Sequence, residues 1–272
     1  MIHICCKLLN LFPFITLYKT DFSFIVLPSF FVAYYTILSS RNAIFTRPSG
    51  DGNFFYAAFR VNVTSGGNYT FRSNSAVDTY GYLYTGSFSP SAPSTNLLIA
   101  DDDSAGNSQF RLTTALQSTG TAILVVTTYS AGATGGVTVI VTGPSAVTFV
   151  PISTCTTILS NDNAVFIRPS GSGSFYYVAV RVNVASSGIY TFESNSVIDT
   201  YGCLYNSSFS PSAPNTNLLI ADDDSAGNGQ FRLTTAMQPT RTVIIVVTTY
   251  STRVTGSVTV TVTGPSAATF VI

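Results

Sequence analysis

Along most of the chain apolar and polar residues alternate one by one. Phe55, Ala57, Phe59, Val61 and Val63 interleave with Tyr56, Ala58, Arg60 and Asn62. That is the period of a strand with one buried face, and it puts Asn62 on the wet side. Gly66-Gly67 makes a turn, and a new alternation begins at Tyr69 and Phe71. Further strands are predicted over Thr79–Tyr84, Asn96–Ala100, Gln109–Thr114, Ala122–Thr128 and Val137–Val141. Ala122-Ile123-Leu124-Val125-Val126 is apolar at every position, which marks a central strand. Clusters of Pro, Gly and Ser separate these runs at roughly ten-residue spacing, and none has the period of a helix. The pattern predicts an all-β chain of antiparallel β-sandwich, jelly-roll-like architecture.

The pattern occurs twice. Residues 36–150 align without a gap with 157–271 at an offset of 121, and 84 of the 115 positions are identical. Asn96 to Asn107 recurs unchanged as Asn217 to Asn228. A period of this length is a whole domain rather than a solenoid turn. The expected organisation is an N-terminal segment over 1–33 and two tandem sandwiches, 34–150 and 151–272.

The N-terminal segment reads differently. Lys7 precedes the apolar run Leu8–Tyr18, and Lys19 and Asp21 precede a second, Phe22–Leu38. A secretory signal or a membrane anchor fits this order, and lysines only on the near side would place the repeats outside the cell. The competing reading makes part of the stretch the first strand of the first copy, since Thr36-Ile37-Leu38 matches Thr157-Ile158-Leu159.

Composition narrows the class. Apolar residues make up 46% and charged residues 9%, with a net charge of zero. Disorder of the whole chain is excluded by that hydrophobicity, and nucleic acid by the lack of a basic stripe. Ser, Thr, Asn and Gly fill the polar positions, which suits a secreted chain. Sequons at Asn62, Asn68 and Asn206 are compatible with glycosylation. Cys155 and Cys203 both occur in the second copy, where the first has Tyr34 and Tyr82. Joint gain or loss is what a bonded pair does, so a Cys155–Cys203 disulfide is expected, worth about 3–4 kcal/mol on the chain-entropy model.

Catalytic chemistry has little to work with. His3 is the only histidine and lies outside both copies, so nucleophilic triads lack a base and zinc lacks its usual ligands. Glu193, the only Glu, aligns with Arg72. The expectation is a protein that is not an enzyme. One charged feature remains, Asp101-Asp102-Asp103 with Asp78 and Asn107, repeated as Asp222-Asp223-Asp224 with Asp199 and Asn228. Close oxygen ligands are what Ca²⁺ prefers. Two carboxylates about 6 Å apart repel by about 3 kcal/mol at an effective dielectric near 20 and by less than 1 kcal/mol in water. A cation is therefore called for only where the chain folds over the triplet; at an exposed loop tip the triplet is a solvated strand-end turn that needs none.

The run Asp78-Thr79-Tyr80-Gly81-Tyr82-Leu83-Tyr84, then Leu98 to Asp103, then Asn107 to Leu112, resembles the bacterial pre-peptidase C-terminal domain family. The strands Ile123–Val126 and Gly136–Val141 follow in that family's order. The resemblance implies small jelly-roll sandwiches serving secreted proteins as accessory or substrate-binding modules, some of them binding Ca²⁺. This chain departs from the family's setting because no peptidase domain accompanies the modules. The resulting expectation is an extracellular or cell-surface tandem module, stabilised by calcium, that binds a glycan or matrix protein. It touches membrane only through the N-terminal segment. The alternatives are a ligand-free spacer or coat protein and accessory domains of a secreted hydrolase.

Overall fold

The computed structural model describes residues 30–48, 50–169 and 171–271. All regular structure among them is β, in antiparallel sheets. Residues 1–29 lie outside the described residues, and with them His3, Cys5, Cys6, both lysines and most of the expected signal or anchor. Phe30–Leu38 is a strand paired along its whole length with Gly135–Gly143. Thus Phe30–Ala33, grouped with the N-terminal segment on sequence, run within a sheet. No helix among the described residues is long and apolar enough to cross a membrane.

One four-stranded sheet has the order Phe30–Leu38, Gly135–Gly143, Gly67–Ser75, Arg111–Leu116. The largest sheet has eight strands. Four of them, Leu97–Asp101, Thr79–Thr85, Ala122–Thr128 and Ala57–Val63, belong to the first repeat, and Gly256–Thr263, Gly188–Asn195 and Arg232–Met237 belong to the second. The eighth, Val147–Leu159, joins the two sets. Its first part pairs with Ala57–Val63 and its second with Gly256–Thr263, the change of partner falling at Ile152. A five-stranded sheet completes the second repeat: Leu218–Asp222, Thr200–Asn206, Val243–Thr249, Val178–Val184, Ala268–Val271.

The 121-residue offset therefore holds element by element. Val147–Leu159 plays two parts, standing where Ala268–Val271 stands in the second repeat and where Phe30–Leu38 stands in the first. Pro151 is consequently no linker residue: it is paired in register with Phe59. A proline is tolerated there because the strand has a neighbour on only one side at that point.

Two apolar cores lie between the sheets. The first gathers Leu38, Tyr69, Phe71, Phe110, Leu112, Val137, Val139 and Val141 against Phe59, Val61, Leu83, Leu124 and Val126. The second gathers the counterparts, from Leu159 and Tyr190 to Val247 and Val262. An additional layer covers the far face of the central strands. In the first repeat it is Phe45, Phe54, Tyr56, Ala58, Tyr82, Tyr84, Phe88, Ile123, Val125 and Ile152. That layer explains why Ala122–Thr128 is buried at every residue. It also modifies the simple alternation: Tyr56 and Ala58, on the face that the period makes wet, are both only 3% exposed.

The expected disulfide is not formed, and both Cys155 and Cys203 are free thiols. Cys155 packs against the inter-sheet core, whereas Cys203 belongs to the far layer with Phe166, Phe175 and Tyr205. They lie on different sheets, and facing sheets stand about 10 Å apart, beyond the Cα separation of about 4.4–6.8 Å that a disulfide spans. Burial pushes both thiols up, that of Cys203 to about 12, which keeps it protonated at neutral pH.

Candidate functional site

The acidic triplets sit where Leu97–Asp101 and Leu218–Asp222 end. Asp101 closes the turn that follows. Its carboxylate accepts hydrogen bonds from the Ser104 amide (3.1 Å), the Ser104 hydroxyl and the Arg111 amide (2.6 Å). Asp222 repeats this with Ser225 and with Arg232, whose amide is at 2.7 Å. These two carboxylates are thus occupied in joining the turn to the next strand.

Asp78 and Asp199 lie just ahead of the strands Thr79–Thr85 and Thr200–Asn206. Their backbone carbonyls accept from the amides of Tyr129 and Tyr250 at 3.0 and 3.1 Å. Burial raises the Asp78 carboxyl pKa above the ordinary range, the charges of Asp103 and Asp102 raise it further, and Arg47 opposes them. Asp199 is raised by the same sequence of causes, with Asp224, Asp223 and Arg168 in those places. The fold therefore does bring Asp78 towards Asp102 and Asp103, and Asp199 towards Asp223 and Asp224. Oδ1 of Asp78 is buried without a hydrogen-bond partner. The side chains of Asn107 and Asn228 are exposed, on a loop whose backbone turns through the left-handed region (φ 55° and 54°).

As a calcium site this arrangement is incomplete. Among the described residues no three acidic, His or Cys side chains are close enough to hold one ion. With Asp101 and Asp222 bonded to backbone amides, an ion would have to pull Asp78, Asp102 and Asp103, or Asp199, Asp223 and Asp224, closer together.

Sequence reasoning missed the cation beside these acids. The Arg47 guanidinium lies 4.0 Å from the Phe54 ring centre, 4.8 Å from Tyr80 and 5.5 Å from Tyr129. Arg168 lies 4.0, 4.3 and 5.5 Å from Phe175, Tyr201 and Tyr250. Each such contact contributes about 0.5–1 kcal/mol at an exposed site and more when desolvated. Tyr80 is covered on its other face by Tyr82, stacked at 4.6 Å with the rings 11° apart. Tyr82 is 1% exposed, and Tyr80 is half-buried. The exposed aromatic is Tyr129 at 51%, with Tyr250 at 52%. The signal was the recurrence of Arg47-Pro48 and Tyr129-Ser130 as Arg168-Pro169 and Tyr250-Ser251. It could not stand out in repeats that agree at most positions.

The sequons differ in setting. Asn62 and Asn68 are exposed, while the Asn206 side chain accepts from Arg241 Nε at 2.6 Å. No family model matches the chain, and no curated protein matches it.

Proposed function

We propose that the chain is a pair of tandem jelly-roll-like β-sandwich domains, 34–150 and 151–272, serving as a non-catalytic extracellular binding module for a glycan or matrix protein. The observation that carries this reading is the duplicated loop end, where an exposed tyrosine (Tyr129, Tyr250) stands beside an arginine held among aromatic rings and next to an acidic cluster. Sugars and peptide edges are recognised by a ring face together with charged hydrogen-bonding groups. The resemblance to pre-peptidase C-terminal domains supports the same class. Two linked sites gain by avidity when a ligand engages both. Calcium, in this reading, would draw Asp102 and Asp103 in towards Asp78 and relieve their repulsion.

A glycan and matrix-protein array tests the proposal. Tyr129→Ala or Tyr250→Ala alone should weaken binding at least tenfold through lost avidity, and the double variant should abolish it. Binding indifferent to both substitutions would sink the site. Tyrosine-sensitised terbium emission reports on the cation, and its absence removes calcium from the account.

A second reading, a ligand-free spacer, is favoured by the uninterrupted strand Val147–Leu159, which is hydrogen-bonded to both repeats and leaves no flexible linker. An array with no binding partner selects it.

A further inference from the structure

The two repeats differ in charge on the outer face of one sheet. In the first, Arg72 on Gly67–Ser75 stands directly opposite Arg111 on the edge strand Arg111–Leu116. Both side chains are exposed. Like charges directly opposite each other repel, and a sheet ordinarily avoids the pairing. In the second repeat the same two positions hold Glu193 and Arg232, joined by an ion pair of 2.6 Å. The register is the same in both, so the fold already brings a negative charge within reach of the edge-strand guanidinium. Among the described residues no acidic side chain forms an ion pair with Arg72 or Arg111. Asp101 meets the Arg111 backbone amide and shares its carboxylate with Ser104. Around the arginines, Ile140 lies in register beside Arg72 and Thr142 beside Thr70. The Thr70 and Thr113 hydroxyls are 2.9 Å apart. Thr70, Arg72, Arg111, Ile140 and Thr142 line one hollow on this face. In the second repeat Thr261 takes the place of Ile140 beside Glu193.

We infer that this hollow binds a sulfate ester carried on a sugar chain, with both guanidinium groups sharing the anion. A tetrahedral ester anion offers three free oxygens, enough for two arginine forks, whereas one fork uses both oxygens of a carboxylate. The threonine hydroxyls match the hydroxyls of a sugar, and Ile140 gives the ring carbons an apolar contact. Two cations are too few for other polyanions. Nucleic acid asks for a basic stripe, and an anionic membrane for a cluster of about four to eight basic residues. The inference rests on the glycan class of the proposed function but adds a separate contact, on other strands than Tyr129 and Tyr250.

Calorimetric titration of the full chain with a short dextran sulfate oligosaccharide tests it. The Tyr129→Ala/Tyr250→Ala protein is used, so that failure here speaks against the arginine pair and failure of the array against the tyrosine loops. One site per chain is expected, weakening as salt rises, with unsubstituted dextran and polygalacturonate bound at least tenfold more weakly. Arg72→Glu reproduces the ion pair of the second repeat, so it should keep the melting temperature and lower affinity at least tenfold. Arg111→Gln should lower it similarly. Glu193→Arg transplants the pair and should add a second, weaker site. Asp21 is the only acidic residue among residues 1–29, and Asp21→Asn should leave affinity unchanged. The inference is overturned by no binding, by equal binding of dextran or polygalacturonate, or by affinity indifferent to Arg72→Glu and Arg111→Gln. It is equally overturned by no added site in Glu193→Arg, or by a tenfold gain in Asp21→Asn, which would assign the counter-charge to the chain itself.

Discussion

Tyr34 and Phe59 in the first repeat become Cys155 and Val180 in the second. In the first, the Phe59 ring stands 4.9 Å from Tyr34 and 5.9 Å from Phe149, an edge-to-face cluster on the core. In the second, both large rings are absent, and Ala57 and Ala122 of the first copy are the larger Val178 and Val243. Tyr34 and Phe59 touch, and all four positions belong to one core cluster, where an interior tolerates changes that keep its volume better than changes that do not. Cys155 is therefore the small member of a repacked core rather than half of a bridge. Tyr82 and Cys203 differ separately, in the far layer. Tyr82 packs flat on Tyr80, and its hydroxyl is buried without a hydrogen-bond partner. Cys203 fills the same place with a far smaller side chain.

Breaking this comparison at its strongest point, Phe59→Val should destabilise the first repeat by about 3 kcal/mol, since a cavity opens between Tyr34 and Phe149. Val180→Phe in the second should cost less than 1.5 kcal/mol, because Cys155 leaves room for the ring. Chemical denaturation read by tyrosine fluorescence checks both, and equal costs in the two repeats would refute the repacking account.

A smaller effect concerns the loop against the acidic site. Ser108 holds φ at 57°, where the second repeat has Gly229 at 69°. A side chain in the left-handed region costs about 1 kcal/mol, so Ser108→Gly should stabilise by about that amount. Gly229→Ser should destabilise by somewhat more, because a Cβ there would stand 3.2 Å from Cγ of Asp199. Thermal melts of the two reciprocal variants should move in opposite directions.

The smallest effect is a pH dependence common to both repeats. The pKa of Asp78 is raised in the folded state, so the native protein binds its proton more tightly than the unfolded chain does. The contribution to stability is then greatest below the unfolded value of about 3.9 and is lost as pH rises through the folded pKa. Asp78→Asn should stabilise the first repeat at pH 7 and flatten the fall of its stability as pH rises above the unfolded carboxyl value. A melting temperature that falls at pH 7 would show instead that the charge is held by a cation.

Most strands were legible because alternation depends only on neighbours in the chain. Thr79–Tyr84, Ala122–Thr128 and Val137–Val141 lie within or coincide with observed strands, and Ala122–Thr128 is central as its two apolar faces require. The Asp triplet was legible as a turn. The separation of Asp101 from Asp102 and Asp103 was not, because it depends on which carboxylate points at the amide of Arg111, ten residues on. Arg47 was missed for the same kind of reason: the rings around it come from three separate segments.

What the sequence by itself determined is the duplicated all-β pattern and the positions that face the inter-sheet core, since periodicity and repetition are properties of the chain in order. The tertiary structure alone decided that Val147–Leu159 serves both halves and that the two cysteines lie in different layers. It also decided that Tyr82 is covered and Tyr80 half-buried while Tyr129 is open. Each of these depends on which face of a sheet meets which neighbour, and residues far apart in sequence settle that by packing.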